Sequence, residues 1–269
     1  MENENQNIEA VPLKVQEASF RAEVDIQVNT AMTYPRDIEV SLRDAIQEIT
    51  LDEEAAETAG YKLNRAGESI EGKSINLATI AATHWGNLRI KGYVKEIEHK
   101  QVVAVGECWD IQKNIGCQME VRRSIWSGKK NKRYSDDMIN MTCQAAIAIA
   151  RRNAILAVVP KHFTDKLYNA AKDKLRGELQ DEKTLRSRRT RMFNWFEKHH
   201  NVPVKTILGY LKIDKIDDID ADMLLHMTQV KNGITSGDVD VMEEFGLKKQ
   251  ETEKQKDKKL FSDNEPAGE

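Results

Sequence analysis

The chain has 269 residues, of which 32% are charged and only 6% aromatic, so a folded core must be mainly aliphatic. No apolar run reaches the ~18 residues that a membrane-spanning helix needs, and the acidic, polar start MENENQNIEA is unlike a signal peptide. Three widely separated cysteines without a CxxC pair argue against a disulfide framework or a structural zinc site and favour a reducing compartment.

Charge is distributed unevenly along the chain. Residues 1–60 carry 14 acidic and 4 basic side chains, a net charge of -10. From Arg89 to Arg176 there are 18 basic and 9 acidic side chains, a net charge of +9. An acidic segment beside a basic body favours a polyanion-binding surface, and the alternative is ordinary variation of charge along a chain.

The first third of the chain mixes polar segments with short periodic ones. Residues 1–18 are polar and acidic, which predicts a disordered arm. The alternation of apolar and polar residues in FRAEVDIQV predicts a strand, and helical spacing then predicts a helix over about 36–57. A glycine-containing loop, NRAGESIEG, is expected next, followed by a short helix from about Ser74 to Trp85.

The middle of the chain contains three consecutive β segments, LRIKGYVKEIEH, KQVVAVGECWDI and GCQMEVRRSIW. Their short polar connections predict an antiparallel meander, with Arg123 on the apolar face of the third strand. Ser135 then caps a helix that ends at Pro160 and whose many small residues allow close approach to a sheet. We therefore predict an α+β fold, a three-stranded antiparallel β-meander backed by a long helix.

The C-terminal part is predicted to be a separate small helical module. The expected division is a disordered acidic arm, an α+β core, a helical module and a disordered charged tail, over residues 1–18, 19–180, 184–245 and 246–269. Helices are expected at about 184–199, 203–211, 220–232 and 237–245.

One motif points to nucleotide binding. The segment GESIEGKS, with Gly67, Gly72, Lys73 and Ser74, satisfies the phosphate-cradling pattern GxxxxGK[ST]. The strand expected before it, YKLNRA, is short and polar, and consecutive strands replace the alternating strands and helices of a nucleotide-binding sheet. In the alternative interpretation Ser74 caps the next helix and Lys73 adds positive charge near a polyanion.

A larger basic constellation surrounds the predicted strand–loop–helix junction. Its candidate nucleic-acid ligands are Arg122, Arg123, Lys129, Lys130, Lys132, Arg133, Arg151, Arg152 and Lys161. The long helix carries the arginine pair roughly 24 Å beyond its start, at about 1.5 Å per residue. Trp126 and Tyr134 flank the loop as candidate base-stacking rings, whereas Trp85 and Trp109 are expected in the core. For Arg151 and Arg152 the alternative is ion pairing with the acidic first helix.

The segments IEGKSINLATIAATHWGNLRI, MEVRRSIW, KRYSDDMI and AIARRNAILAVVP resemble phage recombination proteins of the RecT, Red-beta and Erf superfamily, over roughly residues 20–180. The resemblance implies a non-enzymatic protein without a cofactor that anneals complementary single-stranded DNA as a ring or filament, in recombination and repair. It also implies a bacterial host cytoplasm as the location. The same resemblance places DNA in a basic groove formed by the hairpin and the helix. Lys73 departs from the proline that relatives often carry there.

The sequence also leaves two alternative functions open and suggests a docking role for the C-terminal module. The enzyme-class alternative is a P-loop ATPase that assists recombination or replication, and the third hypothesis is a plain single-strand-binding module. The helical module at 184–245 resembles the domain with which some annealing proteins dock an exonuclease or a single-strand-binding protein. Its first helix carries five basic residues before Phe193, Trp195 and Phe196. This pattern predicts either a second contact with DNA or with an acidic tail, or a solvated face over a packed aromatic core.

Overall fold

The computed structural model describes residues 13–65, 68–127, 131–237 and 239–247. Within them the fold is α+β, as predicted, because a three-stranded antiparallel sheet packs against one long helix and further helices follow. The chain divides into two compact units. The first contains the residues up to Tyr61 and Gly72–Glu178, and the second contains Lys62–Glu71 and the residues from Leu179 onward.

Helix α1 spans Leu13–Thr33, where the sequence predicted a disordered arm to residue 18 and then a strand. Both predictions are wrong for residues 13–28. Phe20 and Val24 line a pocket at the sheet, and Gln27 and Ala31 are less exposed than their neighbours, which is the spacing of one helix face. The alternation in FRAEVDIQV was too short to distinguish a strand from this helix. Residues 1–12 lie outside the described residues.

The single helix predicted over 36–57 is interrupted once. Helix α2 spans Ile38–Leu51 and helix α3 spans Glu53–Glu57. Asp52 separates them because its backbone is extended, and its carboxylate accepts a hydrogen bond from the Ala55 N–H. Asp37 caps α2 in the same way, accepting hydrogen bonds from two backbone N–H groups.

A β-hairpin replaces the loop that the sequence predicted after α3. Strand β1 spans Gly60–Arg65 and strand β2 spans Glu68–Lys73, and the two pair with each other. The turn residues 66 and 67 lie outside the described residues. Helix α4 then spans Ile75–Trp85, close to the prediction, with Ser74 as its cap and Gly86 at its end with φ of 65°.

The meander is confirmed. Strands β3 (Leu88–Ile97), β4 (Gln101–Asp110) and β5 (Ile115–Ser124) form an antiparallel sheet in that order. The register pairs Val102 with Arg123 and Val103 with Arg122. Consecutive residues of a strand point to opposite faces, so Arg123 lies on the face of Val102 and Arg122 on the other.

Helix α5 (Asp136–Val158) covers one face of this sheet at very short distance. Ala146 and Ala150 of α5 are fully buried against the sheet, with Val102, Ala104 and the rest of the aliphatic core. A Cβ atom added at Gly106 would lie 2.2 Å from the backbone carbonyl of Ala150. The small residues of both elements therefore set how closely helix and strand approach.

The C-terminal end of β4 carries a buried ion pair. Arg36 donates two hydrogen bonds to the carboxylate of Asp110, and both side chains are at most 5% exposed. The indole N–H of Trp85 also donates to Asp110 at 3.2 Å, and the Arg36 guanidinium lies 4.5 Å from the Trp85 ring. Burial raises the pKa of Asp110, but these hydrogen bonds outweigh that effect and hold its pKa below the usual value.

Helix α6 (Lys161–Glu178) completes the first unit, where Phe163 stacks edge-on against Trp85 with ring centroids 5.1 Å apart.

The length and hydrophobicity of the helices were compared with those of a membrane span. In the described part of the chain no single helix is long and apolar enough to cross a membrane, and only the bent pair of α5 and α6 meets that test jointly.

From Leu179 onward the second unit is helical, as predicted. Its elements are α7 (Glu182–His200), α8 (Val204–Leu211), a 3-10 turn (Ile216–Asp218), α9 (Ala221–Thr235) and α10 (Val241–Glu244). Arg189, expected on a basic face, is buried and donates to the carbonyl of Ile219. Tyr210 donates to Glu244 at 2.7 Å and lies 3.0 Å from the ring nitrogen of His226, whose pKa burial lowers to about 4. Residues 248–269 of the predicted tail lie outside the described residues.

We expect Gly106→Ala to destabilise the protein by about 1–3 kcal/mol, because the new methyl group collides with the backbone of α5. Gly177→Ala in α6 is the matched control, since nothing lies within 4 Å of the added atom. It should leave stability unchanged or raise it by up to about 1 kcal/mol. Urea unfolding of both variants measures the difference. Equal stability of the two would contradict the close packing of α5 on β4.

We expect Asp110→Asn to lower the free energy of unfolding by about 3–5 kcal/mol at neutral pH, because it leaves the buried Arg36 cation without its carboxylate. Asp110 has a lowered pKa in the folded protein, so its contribution is present above the unfolded pKa and disappears as pH falls through the folded value. The difference in unfolding free energy between the parent protein and the variant should therefore become smaller in acid. Asp173→Asn, on the exposed side of α6, serves as control. A gap in unfolding free energy that persists below the folded pKa would contradict this role.

Candidate nucleic-acid interface

A small hairpin at the end of β5 carries the candidate site. Strands β6 (Trp126–Ser127) and β7 (Lys132–Arg133) pair antiparallel, with Trp126 opposite Arg133. Ile125 anchors the hairpin because its side chain is fully buried in the core under α5. Its N–H donates to the Lys100 carbonyl at 2.8 Å, and its own carbonyl accepts from the Tyr134 N–H at 2.9 Å. The hairpin is thereby tied to the turn between β3 and β4.

Trp126 is the centre of this region. Its ring is partly exposed and lies 5.2 Å from the His99 ring, at an interplanar angle of 48°. The Lys100 ammonium lies 5.3 Å from the same ring. The backbone N–H of Trp126 donates to the Ser124 hydroxyl at 3.2 Å, which fixes the backbone at this residue. An anchored aromatic ring beside cations is the arrangement that non-specific single-strand binders use for bases and phosphates.

Basic side chains of the hairpin add charge around this ring. Lys132 and Arg133 are exposed, and neither forms an ion pair with any carboxylate of the described residues. Arg123 is half-buried on the face that α5 covers. Lys129 and Lys130 lie outside the described residues. The hairpin therefore presents two cations, Lys132 and Arg133, whose charge no carboxylate in the described part of the chain neutralises.

Arg122 lies on the other face of the sheet and is engaged. Its guanidinium donates two hydrogen bonds to Glu120, at 3.0 and 2.8 Å, and Lys95 donates to the same carboxylate at 3.1 Å. The hydrogen bonds from Arg122, and then those from Lys95, hold the pKa of Glu120 below its usual value. Two cations share one anion, so this exposed group keeps a net positive charge while Arg122 itself is constrained.

Arg151 lies away from the hairpin, near the other end of α5. Its aliphatic stem covers Gly92 of β3, because a Cβ atom there would lie 2.5 Å from the Arg151 Cγ. Arg151 lines a separate cavity of about 300 Å³ with residues of α4 and β3. It does not form the ion pair with the acidic first helix that the sequence left open, nor one with any other described carboxylate.

Arg152 and Tyr134 are largely structural. Arg152 is 8% exposed, its guanidinium lies 4.8 Å from the Tyr61 ring, and its Nε donates to Asn153. Tyr134 packs against the core below α5, so it does not stand beside Trp126 as a second exposed ring. The arginine pair was expected to act together, but adjacent helix positions point it in two directions.

The phosphate-cradling motif does not form the loop that such a site requires. Gly72 and Lys73 belong to the extended strand β2, and Ser74 caps α4 by accepting a hydrogen bond from the Leu77 N–H. The Lys73 ammonium donates to the Thr164 hydroxyl at 2.6 Å and to Asp165 at 2.7 Å. Lys161 binds the same carboxylate at 2.5 Å. Both lysines are thus engaged in the first unit, and Gly67 lies outside the described residues.

The structure therefore brings together part of the predicted basic set. Trp126, Lys132 and Arg133 share one hairpin, whereas Arg122, Arg151, Arg152 and Lys161 lie elsewhere or are engaged. Sequence reasoning missed His99 and Lys100. The antiparallel strand order of the predicted meander could have identified them. In such a meander the turn between the first two strands lies beside the end of the third strand.

Comparisons with known proteins add no further constraint on this region. No protein-family model, no curated protein and no solved structure matches the chain. The resemblance to the annealing proteins thus remains a hypothesis drawn from the residues, and the case for a function has to come from the site's own chemistry.

Proposed function

We propose that the protein binds single-stranded DNA at the hairpin end of its sheet and anneals complementary strands without ATP and without covalent chemistry. The observation that carries the proposal is the environment of Trp126. An anchored, partly exposed indole is bordered by His99, Lys100 and Arg133, and Lys132 adds charge nearby.

The physical basis is the pairing of two weak, sequence-independent interactions. Stacking on an aromatic ring contributes about 1–3 kcal/mol per base and tolerates every base, because each has a π face. Lysine and arginine at the phosphates release counterions, which makes affinity fall with salt. A strand held by its backbone and by an occasional stacked base keeps most of its base edges available for a complement.

A single site of this size holds few nucleotides, so annealing requires several protomers along one strand. We therefore propose a homo-oligomer, a ring or a filament, in agreement with the resemblance to RecT-like proteins. That resemblance also supports a role in phage-type recombination and repair in a bacterial cytoplasm. For residues 184–245 we propose docking of an exonuclease or a single-strand-binding protein.

The ATPase alternative has less support. Lys73 would have to release Thr164 and Asp165 before it could bind a phosphate, and Gly72 would have to leave a strand. A lysine that reaches phosphates in a P-loop extends from a loop at a helix N-terminus. No observation on the described residues favours this function over DNA binding.

The decisive assay is annealing of complementary oligonucleotides with and without ATP, for the parent protein and Trp126→Ala. We expect annealing at low salt that is independent of ATP. Trp126→Ala should weaken single-strand binding about 5- to 150-fold, the equivalent of one lost stacking contact. Absence of annealing at low salt, or strict dependence on ATP, would refute the proposal. Thermal unfolding checks that the variant remains folded.

The salt dependence identifies the cations that contact phosphates. We expect Arg133→Gln to reduce the slope of log affinity against log salt by about 0.7, the value for one phosphate contact on a single strand. Lys166→Gln is the matched control, because it removes one exposed positive charge on α6 that has no carboxylate partner among the described residues. Fluorescence anisotropy with labelled oligothymidine measures both slopes. Equal slopes for the two variants would exclude Arg133 from the interface.

A further inference from the structure

A second cavity lies on the face of the sheet that α5 does not cover. It has a volume of about 580 Å³ and lies between α1 and the strands, where β3 begins and β4 ends. Two aromatic residues, Phe20 and Trp109, and two cations, Arg89 and Lys91, line it. Trp109 was expected in the core, but it is partly exposed and extends over Gly116 of β5. Cavities of this size accommodate small molecules and single nucleotides.

The two cations of this cavity differ in their partners. Arg89 is 13% exposed, and its guanidinium donates to Glu23 at 3.0 Å and to Gln27 at 2.6 Å, both on α1. The Lys91 ammonium lies 4.9 Å from the Phe20 ring and forms no ion pair with the described carboxylates. Glu107 also lines the cavity and stands opposite Lys91 in the register, and its carboxylate accepts a hydrogen bond from the Tyr93 hydroxyl rather than from Lys91.

Helix α1 contacts the sheet at this cavity through Phe20, Glu23 and Gln27. Most of its side chains are exposed, including the apolar Val15, Ile26 and Met32. At the cavity it places a carboxylate on Arg89 and an aromatic ring beside both cations. A carboxylate and a ring at these positions have the charge and the shape of a phosphate and a base.

We propose that this cavity is a second nucleotide-binding site of the DNA surface and that Glu23 competes with DNA for it. A base lies beside Trp109 and Phe20, and its phosphate binds Lys91 and replaces Glu23 on Arg89. This inference rests on the proposed function. Strand β5 begins beside Trp109 and leads to Trp126, ten residues after Gly116, a span of about 33 Å at 3.3 Å per residue. One strand of several nucleotides therefore reaches both sites.

Charge explains why α1 lowers the affinity of the site. An exposed carboxylate on Arg89 must be displaced before a phosphate can bind there, and such ion pairs are weak. The competition is therefore easily overcome by a strand that is already held at Trp126. Binding at the first site raises the local concentration of nucleotides at the second.

The test is a neutralised carboxylate with a control on the same helix. Glu23→Gln removes the ion pair with Arg89. Asp25→Asn removes an equal charge from an exposed side chain two residues away, which has no hydrogen bond or ion pair with the described residues. With labelled oligothymidine of 20 nucleotides, we expect Glu23→Gln to bind about two- to fivefold tighter than Asp25→Asn. Lys91→Gln, added to Glu23→Gln, should abolish the gain. Thermal unfolding confirms that each full-length variant is folded.

The outcomes separate this inference from the proposed function. If Trp126→Ala weakens binding but Glu23→Gln and Asp25→Asn have equal affinities, the second site is refuted and the first stands. A gain for Glu23→Gln that survives Lys91→Gln would refute the assignment of the phosphate to this cavity. If neither the parent nor any variant binds the oligonucleotide, the proposed function fails and this inference fails with it.

Discussion

The close approach of α5 to β4 is the constraint on which the rest of the first unit depends. The absence of a side chain at Gly106 lets the backbone of Ala150 lie directly on the strand. With the helix fixed there, Ile125 fills the core beneath its first turns and ties the β6–β7 hairpin to the turn at Lys100. The position of Trp126 is thus a consequence of packing some distance away.

Positive charge alone does not mark the candidate surface, because many cations of this chain have structural partners. Lys73 and Lys161 share Asp165, Arg122 shares Glu120 with Lys95, and Arg189 holds a backbone carbonyl. The hairpin differs because Lys132 and Arg133, which have no carboxylate partner within the described residues, lie in the same hairpin as the Trp126 ring. A cation that is already paired gives up that pairing energy when it binds a phosphate, so unpaired cations beside a ring are the better ligands.

Sequence patterns predicted the elements whose periodicity is long. The three strands, their order, the faces of β5 and the helix from Ser135 onward follow from alternation, polar turns and capping. Helix α1 and the hairpin at Gly60–Lys73 did not follow, because their patterns extend over few residues and the partner that decides between strand, helix and loop is distant in sequence. For the same reason the burial of Arg152 and the exposure of Trp109 could not be predicted: both depend on which residues oppose them.

The most direct test of the central claim is to map which residues touch the bases of a bound strand. Single-stranded DNA that carries iodouracil crosslinks under ultraviolet light to aromatic rings in contact with the base, and mass spectrometry locates the adduct. We expect the principal adduct on the peptide that contains Trp126, at a yield that falls as salt rises. Adducts found only in the second unit, for instance on Trp195, would contradict a DNA surface at the hairpin end of the sheet.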